Sequence, residues 1–466
     1  MNPRSPLEKA GASGESWRHW LAPFVYLLLF AVPLAIWLWH PSRGQNWQVD
    51  LTAMLVAALG NSYCAILGTY LLLRRMSLLG DAISHALLPG IVLAFLFSGQ
   101  VSGWPLMLGA VLLAMITSFL AELLQSQGNV AEDTSLGVVY TFLFALGVVL
   151  VQTFGRTTHL DVDCALYGQL ELAALEPRRT LLSGGITLGL VLLVVGFFWK
   201  ELKLASFDPA LATAMGLSAV LIHYVLLALV AVVTVSAFEA VGSILVVAML
   251  VVPATCAQLM AQRLGLMLVW SVVFGIVSAL VGYWAADQLQ TTASGMMAIV
   301  AGLQLALVVT LAPKQGLVSR WLRQGFLGIR IASEDLLAIL YRAEEQPAGS
   351  AATPSQPRVT SLPTDWRHQI ARWRLLSLRL VQPISSGLGL QLTTTGKQAA
   401  QQIVRAHRLW EAFLDKHFDL PSDHLHDPAE RMEHFLDPEL QAELDQELAG
   451  QSVDPHGKQI PPAPGN

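Results

Sequence analysis

Hydrophobic and polar positions divide the chain in two. Up to about residue 313 long apolar runs alternate with short polar breaks; beyond it the runs give way to amphipathic periods. A helix needs about 20 apolar residues to cross a bilayer. About ten stretches approach that length: 21–39, 50–73, 82–98, 104–124, 135–154, 181–199, 218–237, 240–260, 264–284 and 295–312. The stretch at 82–98 is short and contains Pro89. Those at 218–237 and 240–260 are separated by little more than Phe238 and Glu239, so one of them reads as a half-helix or re-entrant piece. The pattern predicts eight to ten spans.

The second part reads as a mainly helical polar domain. An amphipathic helix is predicted over 333–345, a Pro/Ser/Ala/Thr-rich loop over 346–365 and a basic, Trp-containing helix over 366–381. A short strand at 388–392 precedes helices at 394–418, 428–435 and 438–449. The last has Asp437 as N-cap, Leu440, Leu444 and Leu448 as an apolar stripe and Gly450 as terminator. An ordered turn and a loose end complete residues 451–466. The expected divisions are an N-terminal cytoplasmic segment 1–20, a transmembrane domain 21–316, a linker and degenerate winged-helix-like region 317–391, a metal-binding and dimerisation domain 392–450 and the tail 451–466.

Composition supports the division. The 466 residues are 54% hydrophobic and 13% charged, with mean hydropathy +0.54, where a soluble domain carries about 25% charge. The fold class is an all-α polytopic membrane protein with a cytoplasmic, mainly α C-terminal domain. A net charge of −5 gives no sign of a nucleic-acid partner. Cys64, Cys164 and Cys256 show no pairing or metal-site spacing. The first apolar run lacks a clear cleavage site and reads as a retained helix. Lys and Arg flank the runs mainly on one side (Arg74, Arg75, Lys200, Lys203, Arg263 and Lys314), against Arg43, Arg156, Arg178 and Arg179 on the other. That balance places both termini in the cytoplasm of a bacterial inner membrane. A G-x-x-x-x-G-K-[ST] loop is missing, and Thr393–Lys397 lacks the earlier glycine such a loop needs. ATP hydrolysis, if it drives transport, belongs to another chain, and this one is not read as an enzyme.

Two sets of polar residues could carry chemistry. In HDPAERMEH, with Asp427 as N-cap before Pro428, helical spacing puts Glu430, Glu433 and His434 on one face, and His426 lies one turn earlier. AHRLWEAF puts His407 and Glu411 four apart on another helix. Imidazole and carboxylate donors without thiol suit Mn²⁺, Fe²⁺ or Zn²⁺, although such spacing is also common on solvated faces. His417, His424 and His456 read as surface residues. In the membrane part, ionisable groups are costly and often functional. Asn61, Asp81, His85 and Glu239 are candidates for a transport pathway. The alternatives are a helix N-cap for Asp81, a packed histidine for His85 and a solvated loop carboxylate for Glu239; His223 reads as a core hydrogen-bonding residue.

Two membrane stretches, LGTYLLLRRMSLLGDAISHALLPG (67–90) and FDPALATAMGLSAVLIHYVLLALVAVVTVSAFEAVGSILVVAMLVVPA (207–254), resemble the permease subunits of ABC importers for manganese, zinc and ferrous iron, the ABC-3 type. The resemblance covers about residues 45–316. It implies a second permease chain, separate ATPase subunits and an extracytoplasmic metal-binding protein. It also implies an ATPase-coupling element at about Phe207–Ser218, with Phe207, Asp208, Pro209, Ala212 and Gly216 as its residues. Residues 392–445 resemble the metal-binding and dimerisation domain of the repressor family typified by the diphtheria toxin repressor and its manganese-sensing relatives. That resemblance implies metal ligands at His407, Glu411, His426, Glu430, Glu433 and His434. SEDLLAILYRAEE resembles the family's first helix, in which Asp335 matches a ligand better than Glu334 does. Glutamate at 430, where iron sensors carry cysteine, favours Mn²⁺. The DNA-reading region departs from the pattern: WRHQIARWRLLSLRL follows a Pro/Ser/Ala-rich loop, so specific DNA binding is not expected, and membrane lipid headgroups or the permease are equal partners for its arginines.

The expected function is the permease of an ATP-driven divalent-metal importer, Mn²⁺ first and Fe²⁺ or Zn²⁺ after it, regulated by a cytoplasmic domain that senses the same ion, with no organic cofactor. The alternative is a permease joined to a metal-dependent transcriptional repressor, tethered or released.

Overall fold

The computed structural model describes residues 47–98, 104–154, 170, 176–312, 315–345, 365–384, 390–418, 421, 424–448 and 451–462. The expected span at 21–39 lies outside them. The described residues form two compact units, one up to Ser319 and one from Arg320 on.

The first unit is all helix: α1 (Trp47–Leu73), α2 (Ser77–Ser98), α3 (Trp104–Gly128), α4 (Glu132–Phe154), α5 (Pro177–Phe197), α6 (Trp199–Phe207), α7 (Pro209–Ala214), α8 (Ala219–Val241), α9 (Ser243–Met260), α10 (Leu264–Leu289) and α11 (Ala293–Leu311). Seven of its helices are long and apolar enough to span a membrane among the described residues, and Leu245–Met260 is a shorter apolar piece. The chain is therefore a multi-pass membrane protein.

Helix α1 runs through the middle of this unit, packed by α9, α10, α5 and α8. Small residues set its approach. A Cβ on Gly68 would lie 1.7 Å from the carbonyl oxygen of Leu250 in α9, so the two backbones touch. At the next residue, the Thr69 and Ser271 hydroxyls are hydrogen-bonded at 2.9 Å between α1 and α10. The Ala65 and Leu268 carbonyls are also within reach in their own helices, so one of the two hydroxyls donates across while the other donates back, and neither of the pair is left unpartnered. The break expected at Phe238–Glu239 falls at Gly242 instead, where φ is 80°. Helix α8 runs on to Val241, and α9, with 18 residues, is the short partner of the pair.

Between α5 and α8 the sequence dictates a compact turn. Asp208 caps α7 by accepting from the Leu211 amide at 2.9 Å, with Pro209 in the first turn. Gly216, at φ 85°, ends that helix as Leu217 donates to the Ala212 carbonyl at 3.0 Å. Ser218 then caps α8.

The second unit is built on α12 (Leu317–Glu344), which begins in the first unit, α13 (Trp366–Ser377), strands β1 (Val381–Pro383) and β2 (Leu390–Leu392), α14 (Thr394–His417), α15 (His426–Met432) and α16 (Pro438–Glu447). Helix α12 is twice as long as its polar periodicity suggests, because the expected pattern covers its second half alone. Helix α13 stops at Ser377 rather than 381: Arg379 adopts φ 55° and Leu380 donates to the Leu375 carbonyl at 3.0 Å, closing the turn. The freed residues make β1, paired antiparallel with β2 in the register Val381–Leu392 to Pro383–Leu390. Gly396 in the first turn of α14 lets that helix sit on the hairpin; a Cβ there would be 1.8 Å from the Leu380 carbonyl oxygen. The core joins Leu336, Leu337 and Leu340 of α12 to Leu375, Leu390, Ala400 and Val404.

Candidate metal centre

Helix α14 is fixed at its start by Thr393, whose hydroxyl accepts from the Gly396 amide at 3.1 Å. Three turns later it buries His407 and Glu411 on one face. Helix α15 begins with His426 itself. Asp427, expected as the N-cap, is instead inside the first turn, and Leu425 holds the cap position without a side-chain bond.

Three donor atoms converge here. His407 Nε2 is 3.0 Å from Glu411 Oε1 and 3.0 Å from His426 Nδ1, and His426 Nδ1 is 2.9 Å from the same Glu411 oxygen. Two ligands at right angles on one metal, each about 2.1 Å from it, lie about 3 Å apart, so the triangle has the size of one face of a coordination shell. With both imidazoles protonated on these nitrogens, Glu411 Oε1 accepts from each; with those protons removed, all three atoms present lone pairs to one cation.

A second group forms where α15 ends. Glu433 is the C-cap, and His434 follows it out of the helical period. His434 Nε2 lies 3.2 Å from Asp335 Oδ1 of α12 and 3.9 Å from Glu433 Oε1. Its Nδ1 is 2.8 Å from Glu334 Oε2, and Arg330 in turn holds Glu334 at 2.9 Å and the His434 carbonyl at 2.8 Å. An Nδ1–H donated to Glu334 leaves Nε2 free for a ligand, which is how outer partners orient a metal-binding imidazole. Neither group contains sulfur, and both are hard or borderline donor sets that fit Mn²⁺, Fe²⁺ or Zn²⁺.

His407 joins the groups. Its second nitrogen, Nδ1, lies 2.6 Å from Glu433 Oε2, with Arg342 3.6 Å from that oxygen. Burial by itself would lower the His407 pKa, but Glu411 and Glu433 outweigh it and raise it. For Glu411 burial acts upward, yet His407 and His426 hold the carboxyl down at about 2. His434 likewise overcomes its burial through Asp335 and Glu334 and is pushed up to about 10. In both groups the carboxylates favour a protonated imidazole, so a cation bound there would compete with a proton.

The sign has a measurable consequence. Below pH 6.5 the His434 pairing contributes fully to the metal-free fold, and the contribution is lost as pH rises through about 10; that of Glu411 is lost as pH falls towards about 2. Metal binding runs the other way, because ligands must be deprotonated. Apparent Mn²⁺ affinity is expected to rise between pH 6 and 8 by about tenfold per pH unit for each proton displaced, with proton release measurable by calorimetry in buffers of different ionisation enthalpy. A flat affinity over that range would mean that no proton leaves these groups.

The remaining expected residues are spread out. Glu430 is exposed on α15 and belongs to neither group. Asn61 is buried in α1, donates to the Gly275 carbonyl at 3.1 Å and leaves its own Oδ1 without a partner. The side chains of Asp81 and His85 in α2, and of Glu239 in α8, lie outside the described residues. His223 lines a cavity of about 440 Å³ with Arg74, Glu122, Ser206 and Pro209. In the α6–α7 turn Ala212 is fully buried, while Phe207, Leu211 and Met215 are exposed at successive turns. His456 is exposed, as expected, and its Nε2 lies 3.8 Å from Glu411 Oε1.

Residues 47–312 match the ABC 3 transport family, more than half of the chain. The chain belongs to the ABC 3 transport family. Residues 393–462 match a second family, the iron dependent repressor, metal binding and dimerisation domain, so a repressor-type domain is fused behind the permease. Among the relatives of this family member is the manganese transport system membrane protein MntD of Bacillus subtilis, 40% identical over 56% of this chain and 91% of that protein. The zinc transport system membrane protein TroD of Treponema pallidum is 38% identical over 59% of this chain and 77% of that protein. The solved structure of PsaBC from Streptococcus pneumoniae in complex with Fab matches with a TM-score of 0.52 at 29% identity, covering 59% of this chain and 94% of that one. As a member of a transport family the protein is a membrane permease and not an enzyme.

Proposed function

We propose that this protein is the permease of an ATP-driven importer of a divalent transition metal, Mn²⁺ first and Fe²⁺ or Zn²⁺ after it, and that its C-terminal domain restrains transport when that ion fills it. The observation that carries the reading is the fusion, in one chain, of an ABC 3 permease body and a domain with two thiol-free imidazole–carboxylate groups. Carboxylate-rich donors accept Mn²⁺ readily, but Zn²⁺ binds most such sites more tightly, so selectivity rests on geometry and metal supply.

The chain acts with separate ATPase subunits, a second permease and an extracytoplasmic binding protein. The exposed Phe207, Leu211 and Met215 offer the ATPase an apolar face on a turn rigidly capped at both ends. That turn lies beside the Arg74–Glu122–His223 cavity, which puts Pro209 in reach of both. Asn61, with its unpaired buried oxygen, suits a weak and exchangeable ligand along the pathway, joined by Asp81, His85 and Glu239. The bias of basic residues places both termini and the metal domain in the cytoplasm of a bacterial inner membrane. Helix α13 exposes Trp366, Ile370 and Trp373 beside Arg367 and Arg372, which suits lipid headgroups better than base edges.

Feedback requires that metal bind one transporter state better than another. Uptake of radioactive Mn²⁺ by cells dependent on this importer is expected to fall as cytosolic Mn²⁺ is raised, and to lose that dependence in a variant lacking residues 325–466. Wild-type uptake that ignores cytosolic metal and equals that of the truncated variant would sink the regulatory reading.

A further inference from the structure

The segment after α16 is a built hairpin lying against the first metal group. Its sequence, Asp454-Pro455-His456-Gly457, has the residues a type I turn asks for, with proline second and glycine last. Gly457 donates to the Asp454 carbonyl at 3.0 Å and takes φ 77°. Asp454 Oδ1 accepts from the backbone amides of His456 at 3.0 Å and Lys458 at 2.7 Å. Val453 and Gln459 pair across the turn, and Ile460 donates to the Ser452 carbonyl at 2.8 Å. The turn chemistry thus fixes His456 at the tip.

Two buried arginines of α14 pin this hairpin. Arg408, next to His407 in the sequence, donates to the Gln459 carbonyl at 2.6 Å and lies 3.6 Å from the buried Asp454 carboxylate. Arg405 donates to the Pro461 carbonyl and pairs with Asp445 at 3.1 Å. Ile460 packs against Leu409, Ala412 and Leu448. Burying two guanidinium groups is costly unless each is paired, and here each is paired to the hairpin's backbone as well as to a carboxylate. The arrangement aims the tip at one place: His456 Nε2 stands 3.8 Å from the Glu411 oxygen on which His407 and His426 already converge. Ligands on a single ion about 2.1 Å away are separated by about 3–4 Å; His456 has that spacing to Glu411, and its exposed ring has to turn inward to reach the same spacing to His407 and His426.

The geometry points to His456 as a fourth protein ligand of the His407–Glu411–His426 centre, so that a divalent cation bound there clamps the hairpin 452–460 onto α14. This inference rests on the proposal that the group binds metal. Its chemical class is a three-imidazole, one-carboxylate site for a borderline divalent ion. It also gives occupancy a structural output, since an ion held from both α14 and the hairpin ties the end of the domain to its metal-binding helix.

The test uses the full-length protein in detergent with Co²⁺ as probe, in a His434→Gln background that removes the second group. Ligand-field absorption reports ligand number and geometry, and trypsin cleavage after Lys458 reports the clamp. His456 is exposed and holds no core, so His456→Ala and His456→Gln should fold. Both are expected to weaken Co²⁺ at least tenfold, to change the visible spectrum and to abolish metal protection of Lys458. A spectrum, affinity and protection unchanged by both substitutions would overturn the fourth ligand while leaving the three-residue site intact. If instead the unsubstituted background binds no Co²⁺, or its binding survives His407→Gln, the underlying metal-site proposal fails, and the inference with it.

Discussion

Replacing His407 is expected to damage both metal groups at once, where replacing His426 damages one. His407 Nε2 belongs to the first group, and its Nδ1 lies 2.6 Å from Glu433, a member of the second. Loss of a direct ligand should lower affinity at the first group by more than the roughly 10–100-fold that loss of an outer partner brings, and the second group should fall by about that outer-partner amount. Manganese titration of the full-length protein by calorimetry or electron spin resonance resolves the two classes. His407→Ala also strips a partner from the buried Glu411 and Glu433 carboxylates, and breaking a buried ion pair costs about 3–5 kcal/mol. His407→Gln keeps much of the volume and a hydrogen-bonding tip, so it separates lost binding from lost fold. Full-strength binding at the second group in both variants would show that the groups are independent.

That coupling illustrates what spacing can and cannot reveal. Helical periods single out His407 with Glu411, and His426 with Glu430, Glu433 and His434, because residue type and spacing are local properties; of these, Glu430 joins neither group. Their division between two centres is not local. It depends on α15 ending at Met432, which carries Glu433 and His434 off the face that holds Glu430 and towards α12. Asp335 enters through α12, about a hundred residues away in sequence. Of the two expected caps Asp437 holds, because its side-chain oxygen sits three residues before an orphan amide, whereas Asp427 falls inside the first turn. The β1 strand is hidden in an apparent helix, since nothing in Leu378–Leu380 announces that Arg379 will take a left-handed conformation. Nothing in the sequence marks Arg405 and Arg408 as buried, because their partners Glu345, Asp445 and the returning hairpin are all distant along the chain. The place of the hairpin 452–460 is hidden for the same reason: its segment has turn chemistry but no apolar period to say what it folds against.

In the membrane body the largest effect is expected at Gly68. Lipid chains are as apolar as leucine, so spanning helices are held by close packing and interhelical hydrogen bonds rather than by escape from water. Helix α1 meets α9 with backbone against backbone at this point, and an added methyl would sit 1.7 Å from the Leu250 carbonyl oxygen. That neighbour is main chain in the interior of α9 and cannot rotate aside as a side-chain tip would. The two helices must separate, and the Thr69–Ser271 bond one residue away, together with Asn61 at the Gly275 carbonyl, lies on the same helix and moves with it. Gly68→Ala is therefore expected to lower the yield of folded permease several-fold and to reduce metal uptake per cell to near background. Gly185, on α5 with nothing within 4 Å of an added Cβ, provides the matched control, and Gly185→Ala should retain both. Detergent size-exclusion profiles and Mn²⁺ uptake measured side by side decide it. Normal yield and uptake for Gly68→Ala would mean that α1 and α9 are not in backbone contact in the membrane.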